Sequence, residues 1–333
     1  MYSLIRPLLF AAEPELAHEW AMKGLSYCPS WLFRTPKPRP TTVMNLAFKH
    51  PVGLAAGFDK NGAYLDILDK LGFSFVELGT VTPKAQPGNP KPRLFRIPEK
   101  GALINRLGFN NDGVDALVAN VRRSSFKGLI GINIGKNKDT SLDKAAEDYL
   151  YCLRQAFSCA DYITVNISSP NTPNLRDLQQ EDYFRQLLDS LREEQLLLSD
   201  AHKRYVPLLV KLSPDESDAS LKRMAAVARD EGVDGLVMTN TTLKRDTVEG
   251  LKYADETGGL SGRPLYLRAT HCLRVVKEVV GDELAIISVG GIDSPERAKE
   301  RMIAGASLLQ VYTGLIYKGP GLVSQLVDGI LNT

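Results

Sequence analysis

Leu208-Leu-Val-Lys-Leu-Ser213 is a short apolar run that does not alternate, with a single lysine near its end. A strand with one wet face alternates polar and apolar residues, whereas a strand buried on both faces reads as continuous apolar sequence, as parallel sheets do. Seven further runs share the pattern: Val52–Gly57, Phe75–Thr80, Leu129–Gly135, Tyr162–Ser168, Gly235–Asn240, Ala285–Gly290 and Leu308–Thr313. After them come amphipathic, helix-length segments near 62–71, 112–123, 143–158, 181–202, 217–231, 264–280, 294–304 and 319–331. Eight strand–helix units in about 290 residues predict an α/β protein of the (β/α)8, or TIM, barrel type. The main competitor is an open doubly wound sheet, but its G-x-G-x-x-G signature after the first strand is missing. The segment 81–104, between the second strand and its helix, is long and carries Pro83, Pro87, Pro90, Pro92 and Pro98. An insertion of that length beside a barrel mouth is usually functional.

Composition narrows the function. Of 333 residues 44% are hydrophobic and 24% charged, the profile of an ordinary globular protein, and a net charge of +2 gives no nucleic-acid-binding field. Cys28, Cys152, Cys159 and Cys272 form no Cys-x-x-Cys pair and are read as reduced thiols of a cytoplasmic protein. His18, His50, His202 and His271 are scattered, so no metal site is expected. No apolar run reaches the roughly 18–20 residues of a membrane span. Nor is a signal peptide expected, because Arg6 and Pro7 interrupt the first apolar stretch.

The first forty residues stand apart. Residues 3–10 and 14–27 read as two short helices, and Leu4, Ile5, Leu8, Leu9, Trp20, Met22, Leu25, Trp31, Leu32 and Phe33 give them an unusually large apolar surface. Five Lys/Arg against three Glu place the whole net charge here. A proline-rich linker, Thr35–Pro40, then separates a helical extension, residues 1–40, from a barrel domain, residues 41–333.

A barrel of this kind keeps its chemistry at the C-terminal ends of its strands. Those ends present Ala56-Gly57-Phe58-Asp59-Lys60, Thr80, Asn133, Asn166-Ile167-Ser168-Ser169-Pro170-Asn171, Lys211, Thr239-Asn240-Thr241, Gly290-Gly291 and Tyr312-Thr313-Gly314. Amides, hydroxyls and lysines dominate, carboxylates are few and histidine is absent. Glycoside hydrolysis needs a carboxylate pair and metal-assisted hydrolysis needs His and carboxylate ligands, so neither fits. Two lysines on one rim favour an anionic ligand or an anionic reduced cofactor. Gly290-Gly291 and Tyr312-Thr313-Gly314 follow strands seven and eight, where barrels often bind phosphate on backbone N–H groups. Singly these features have plainer readings: Ser168–Asn171 as a turn, Lys60 as a surface lysine, Asn110-Asn111 as a helix cap. Lys211 is different, because a lysine inside an apolar run is costly unless it is paired or solvated.

Gly53-Leu-Ala-Ala-Gly-Phe-Asp-Lys60, Asn105-Arg-Leu-Gly-Phe-Asn-Asn111, Val165-Asn-Ile-Ser-Ser-Pro-Asn-Thr172 and Ser288-Val-Gly-Gly-Ile292, in this order, resemble the dihydroorotate dehydrogenases over nearly the whole chain. The N-terminal helices point to the quinone-dependent class. The resemblance implies one FMN per chain and oxidation of dihydroorotate to orotate in pyrimidine (UMP) synthesis. It gives Ser169 the role of base at C5 of the substrate, with the hydride leaving C6 for flavin N5. It places Lys60, Asn105, Arg106, Leu107, Gly108, Phe109, Asn166, Asn171, Asn240 and Thr241 around the substrate. Around the flavin it places Ala56, Gly57, Phe58, Asp59, Lys60, Thr80, Asn133, Asn166, Lys211, Thr239, Gly262, Gly291, Tyr312 and Thr313. A serine is a poor base unless its proton is relayed onward, and Thr172 with a water is a candidate relay. The family's soluble classes carry cysteine where this chain has Ser169. Residues 1–40 are then expected to lie in a membrane interface and form a quinone tunnel, with His18 and Arg96 at its polar end and Tyr312 near the flavin. A monomer on the cytoplasmic side of the cell membrane, if the source is bacterial, is the corresponding expectation, with no nucleic-acid partner. The alternatives are a soluble dihydroorotate dehydrogenase using fumarate or NAD, a dihydrouridine synthase acting on tRNA, and a catalytically dead barrel serving as a scaffold. Ser169 and the N-terminal helices speak against the first, the lack of a basic RNA-binding domain against the second, and the intact rim against the third.

Overall fold

A computed structural model describes residues 2–172 and 175–331. Eight parallel strands close into a barrel: β1 (Val52–Leu54), β2 (Phe75–Val81), β3 (Leu129–Ile134), β4 (Tyr162–Asn166), β5 (Leu208–Leu212), β6 (Gly235–Met238), β7 (Ala285–Val289) and β8 (Leu308–Val311), each paired with its sequence neighbours and β8 with β1. All eight expected runs are therefore strands. Their burial on both faces is literal, since helices cover the outside and side chains fill the lumen. The outer layer comprises α3 (Leu65–Lys70), α4 (Val114–Arg123), α5 (Ala145–Ala156), α6 (Glu181–His202), α7 (Asp218–Asp230), α8 (Tyr266–Val280), α9 (Pro295–Ile303), α10 (Thr313–Lys318) and α11 (Leu322–Leu331). Ser217 and Ser294 start α7 and α9 by accepting hydrogen bonds from the N–H groups of Ser220 and Arg297. The short α10, directly after β8, was not anticipated from the sequence.

The lumen mixes the largest side chains with none. Gly131 on β3 lies in register between Glu77 on β2 and Tyr162 on β4. A Cβ at Gly131 would overlap the Tyr162 ring, and one at Gly53 would overlap the Phe75 ring. These glycines are vacancies into which neighbouring rings reach across the lumen. Below, a hairpin of Thr41–Val43 and Leu46–Phe48 closes the N-terminal mouth. Its turn residues Met44 and Asn45 both have positive φ, 53° and 58°, and Phe48 meets Phe75 edge-on at 5.2 Å.

At the opposite mouth, Leu94–Ile97, Ala102–Asn105 and Gly259–Gly262 form a three-stranded antiparallel sheet. The proline-rich segment 81–104 thus holds two strands rather than a bare loop, joined to a third from the excursion after β6. Residues before the linker form α1 (Tyr2–Ala11) and α2 (Pro14–Tyr27). α1 and the linker are tied to the chain's last elements: Arg6 donates to the Tyr317 carbonyl at 3.1 Å, Tyr2 donates to Ile316, and Arg39 of the linker to Ile330. Their outward residues remain bare, with Leu4 79%, Leu8 74% and Trp31 81% exposed. Among the described residues, no helix is long and apolar enough to cross a membrane.

Candidate active site

The strand ends converge on one narrow cleft of about 130 Å³ at the C-terminal mouth. β1 delivers Ala56 and Gly57, β2 Thr80, β4 Asn166 and Ser169, β5 Lys211, β6 Thr239, Asn240 and Thr241, β7 Gly291, and β8 Tyr312 and Thr313. The three-stranded sheet and its flanks add Asn105, Leu107, Gly108, Phe109 and Gly262, and the loop after β4 adds Asn171. Among the described residues, no Asp, Glu or His lines this space.

Beneath it lies a bonded polar floor. Asn166 Nδ2 donates to Thr80 Oγ1 at 2.9 Å and to Asn133 Oδ1 at 3.2 Å, while Asn133 Nδ2 donates to Glu77 at 2.8 Å. Glu77, fully buried in the lumen, also accepts from Gln310 at 2.7 Å and Tyr162 at 3.2 Å. Such a carboxylate is tolerable because both oxygens are satisfied. Burial lowers the Lys211 ammonium from its ordinary range, and the Glu77 charge works against that loss. Asn133 therefore orders the floor from below rather than touching the cleft. Gln310 is the converse case: its Nε2 holds Glu77, while its buried Oε1 has no protein partner among the described residues and the side chain lines the cleft.

The mouth is arranged around Ser169, which is 5% exposed. Its Oγ accepts the Asn171 N–H at 3.3 Å, and Asn171 Nδ2 donates to Asn105 Oδ1 at 3.2 Å. Asn240 Nδ2 donates to Ser168 Oγ at 3.0 Å, and its Oδ1 accepts the Thr241 N–H at 2.8 Å. Lys60 faces them, its ammonium lowered to about 8 by burial, with the Glu15 carboxylate opposing the drop.

A second, larger and mostly apolar cavity, about 690 Å³, lies between α1, α2 and the barrel mouth. Gly57, Lys60, Leu107 and Tyr312 belong to the walls of both spaces. His18 and Arg96 line the second one. Burial and the Lys60 charge drive the His18 imidazole down to about 4, so it is neutral at physiological pH. It packs edge-on against Phe58 at 4.8 Å, and Phe58 against Tyr312 at 5.6 Å. Arg96 donates to the Ala12 carbonyl at 2.8 Å and sits over the Phe10 ring.

Three further expected site residues lie outside the first cleft. Phe58 and Asp59 line the second cavity, and the Asp59 carboxylate caps its own turn by accepting the N–H groups of Ala63 and Tyr64 at 2.9 and 2.8 Å. The Arg106 side chain turns away to Glu256 at 2.5 Å and stacks on Phe95. Sequence reading passed over Ser261, Leu265, Val289, Gln310 and the supporting Glu77. For Glu77 and Gln310 the signal was present, since each is a strongly polar residue amid apolar neighbours in its strand, as Lys211 is.

The sequence profile of the dihydroorotate dehydrogenase family matches residues 40–333. A Legionella pneumophila (strain Corby) protein named dihydroorotate dehydrogenase (quinone) is 58% identical over 330 residues, 99% of each chain. One of the same name from Acinetobacter baumannii (strain ATCC 17978) is 51% identical over 332 residues, again 99% of each chain. Among solved structures, DHODH in complex with ferulenol from Eimeria tenella superposes with a TM-score of 0.90 at 38% identity, covering 98% of this chain and 94% of that one. With its eight-stranded barrel, its cleft rich in amides and lysines and whole-length identity of this order, the chain belongs to the dihydroorotate dehydrogenase family.

Proposed function

We infer that the chain oxidises (S)-dihydroorotate to orotate for UMP synthesis, holds one FMN in the cleft, and passes the electrons to a membrane quinone. The observation that carries this reading is the shared wall. A polar cleft with two lysines and, among the described residues, no carboxylate suits an anionic, amide-rich substrate, and it abuts an apolar cavity suited to a hydrophobic acceptor.

The donor set fits FMN. Lys211 brings positive charge to the floor, Gln310 offers a free buried carbonyl, and Thr80, Asn166 and Thr239 offer neutral donors and acceptors. Backbone N–H groups at Gly290-Gly291 and Tyr312–Gly314 are the proposed phosphate seat. When bound, FMN supplies a two-electron hydride acceptor. The remaining work falls to the chain. Lys60 and Asn105, Asn171 and Asn240 fix the substrate's carboxylate and amide edges, which supplies orientation. Ser169 takes the C5 proton, and Thr172, itself buried, is the proposed relay that carries it on. Residues 1–40 form the quinone tunnel, with neutral His18 and Arg96 at its polar end. The protein works as a monomer at the membrane surface, on the cytoplasmic side if its source is bacterial.

The test is anaerobic. Dihydroorotate should bleach the bound flavin, and a quinone, but neither fumarate nor NAD, should restore its colour. In Ser169→Ala the flavin and orotate should still bind while bleaching slows about 10²–10⁴-fold. Recovery with fumarate or NAD would overturn the quinone assignment. Bleaching at the normal rate in Ser169→Ala would remove that residue from its role.

A further inference from the structure

The loop Asn105–Phe109 lines the cleft, yet it is held from the side on which α2 sits. Asn89 is the first link: its Nδ2 donates to the Arg106 carbonyl at 2.8 Å and its N–H to the Leu107 carbonyl at 3.0 Å. Gln86 Nε2 donates to the Gly108 carbonyl at 3.1 Å. The turn carrying these residues passes through Gly88, where φ is +75° and a Cβ would overlap the Leu107 carbonyl. Turn and loop are therefore in direct contact, and a displacement of one displaces the other.

Arg93 holds the turn. Its Nη1 donates to the carbonyls of Pro87 and Asn89 at 2.6 and 2.9 Å. Its Nε and Nη2 form a fork on the Glu15 carboxylate at 2.9–3.1 Å. The arginine side chain is 8% exposed and the glutamate 15%, so this is a desolvated bidentate pair rather than a surface bridge. Lys91, 3.9 Å from Glu15 but 60% exposed, cannot replace it. Burial pushes the Glu15 carboxyl up, but the Arg93 fork, with the charges of Lys91 and Lys60, holds it below the ordinary range. Glu15 lies one turn of α2 from His18, and both line the second cavity, as does Leu107.

We propose that the Glu15–Arg93 ion pair is the joint through which the N-terminal helices set the shape of the substrate end of the cleft. Arg93 is a positioning residue for the loop Asn105–Phe109, and Glu15 is the charge that holds Arg93 in place. The inference rests on the reading of that loop as part of the dihydroorotate site. It assigns α2 a task besides lining the second cavity. Without the carboxylate, the fork loses its partner while the turn still depends on the guanidinium, and the loop loosens.

The experiment uses the holoenzyme of wild type, Glu15→Asp, Glu15→Gln, Arg93→Gln and the double variant. Orotate is titrated against flavin absorbance, and dihydroorotate turnover is followed with a dye acceptor that bypasses the quinone. Glu15→Gln should raise the orotate Kd and the dihydroorotate KM about tenfold or more, with kcat within about twofold. Glu15→Asp should fall between wild type and Glu15→Gln, and the double variant should be no worse than Arg93→Gln. Hydrogen exchange over residues 86–109 should be faster in Glu15→Gln, a readout that needs no substrate. Unchanged exchange there would overturn the proposal. So would a wild-type orotate Kd, or a fall in kcat and affinity together with melting temperature. A wild-type holoenzyme that ignores dihydroorotate while residues 86–109 still loosen in Glu15→Gln would overturn the assigned substrate and leave the joint standing.

Discussion

Lys60 shows how one residue can read two environments. It lines both cavities, burial brings its ammonium down to about 8, and Glu15 limits the fall. The sign is direct: below that value the group is a cation able to hold an anionic substrate, and above it the charge is lost. In the free enzyme, kcat/KM for dihydroorotate should therefore fall about tenfold per pH unit above pH about 8, while Lys60→Met should be low and lack that limb. A pH profile of kcat/KM measured on both proteins checks this. Single residues were legible where they broke a pattern. Lys211 declared itself as a charge in an apolar strand, but Glu77 and Gln310, which break β2 and β8 in the same way, become meaningful only when the barrel closes and brings them together at 2.7 Å. Arg106 illustrates the limit, since its backbone belongs to the cleft loop but its side chain answers to Glu256, 150 residues away.

For elements, legibility followed burial. Eight strands and their partner helices could be read because continuous apolar runs and helical periodicity have one physical cause, a two-sided covering of a parallel sheet. The closing hairpin escaped because each of its strands is three residues long and its turn is Met44-Asn45, without the glycine that normally announces such a turn. The antiparallel sheet over the mouth escaped because its third strand lies 154 residues beyond its second, from Asn105 to Gly259. Barrel strands also depend on residues that are not there. In Gly131→Ala the added methyl meets the Tyr162 ring, which must swing off Glu77 to make room. The variant should lose about 1–3 kcal/mol in chemical denaturation, with flavin released at lower denaturant.

Across the whole molecule, the two cavities sit at one end and the bare apolar residues of α1 and the turn after α2 lie beyond them. Exposed leucines and a tryptophan beside a cationic segment are the composition of an interfacial anchor. Leu8→Asp combined with Trp31→Asp should reduce sedimentation with anionic phospholipid vesicles by at least about tenfold. Bleaching of the flavin by dihydroorotate should be unaltered, because neither side chain reaches the cleft. Equal vesicle binding by both proteins would place the membrane contact elsewhere.

The ties between the two chain ends also set an order of events. Tyr2 finds its acceptor at Ile316, 314 residues later, and Arg6 and Arg39 find theirs at Tyr317 and Ile330. Ribosomes add about 5–20 residues per second, so α1 emerges roughly 15–60 s before the residues that bond Tyr2 and Arg6 exist. During that interval α1 lacks these ties, whereas α2 already has a partner nearer in sequence, since Glu15 pairs with Arg93. The ties that fix α1 are thus among the last to form, although α1 is the first helix to be made.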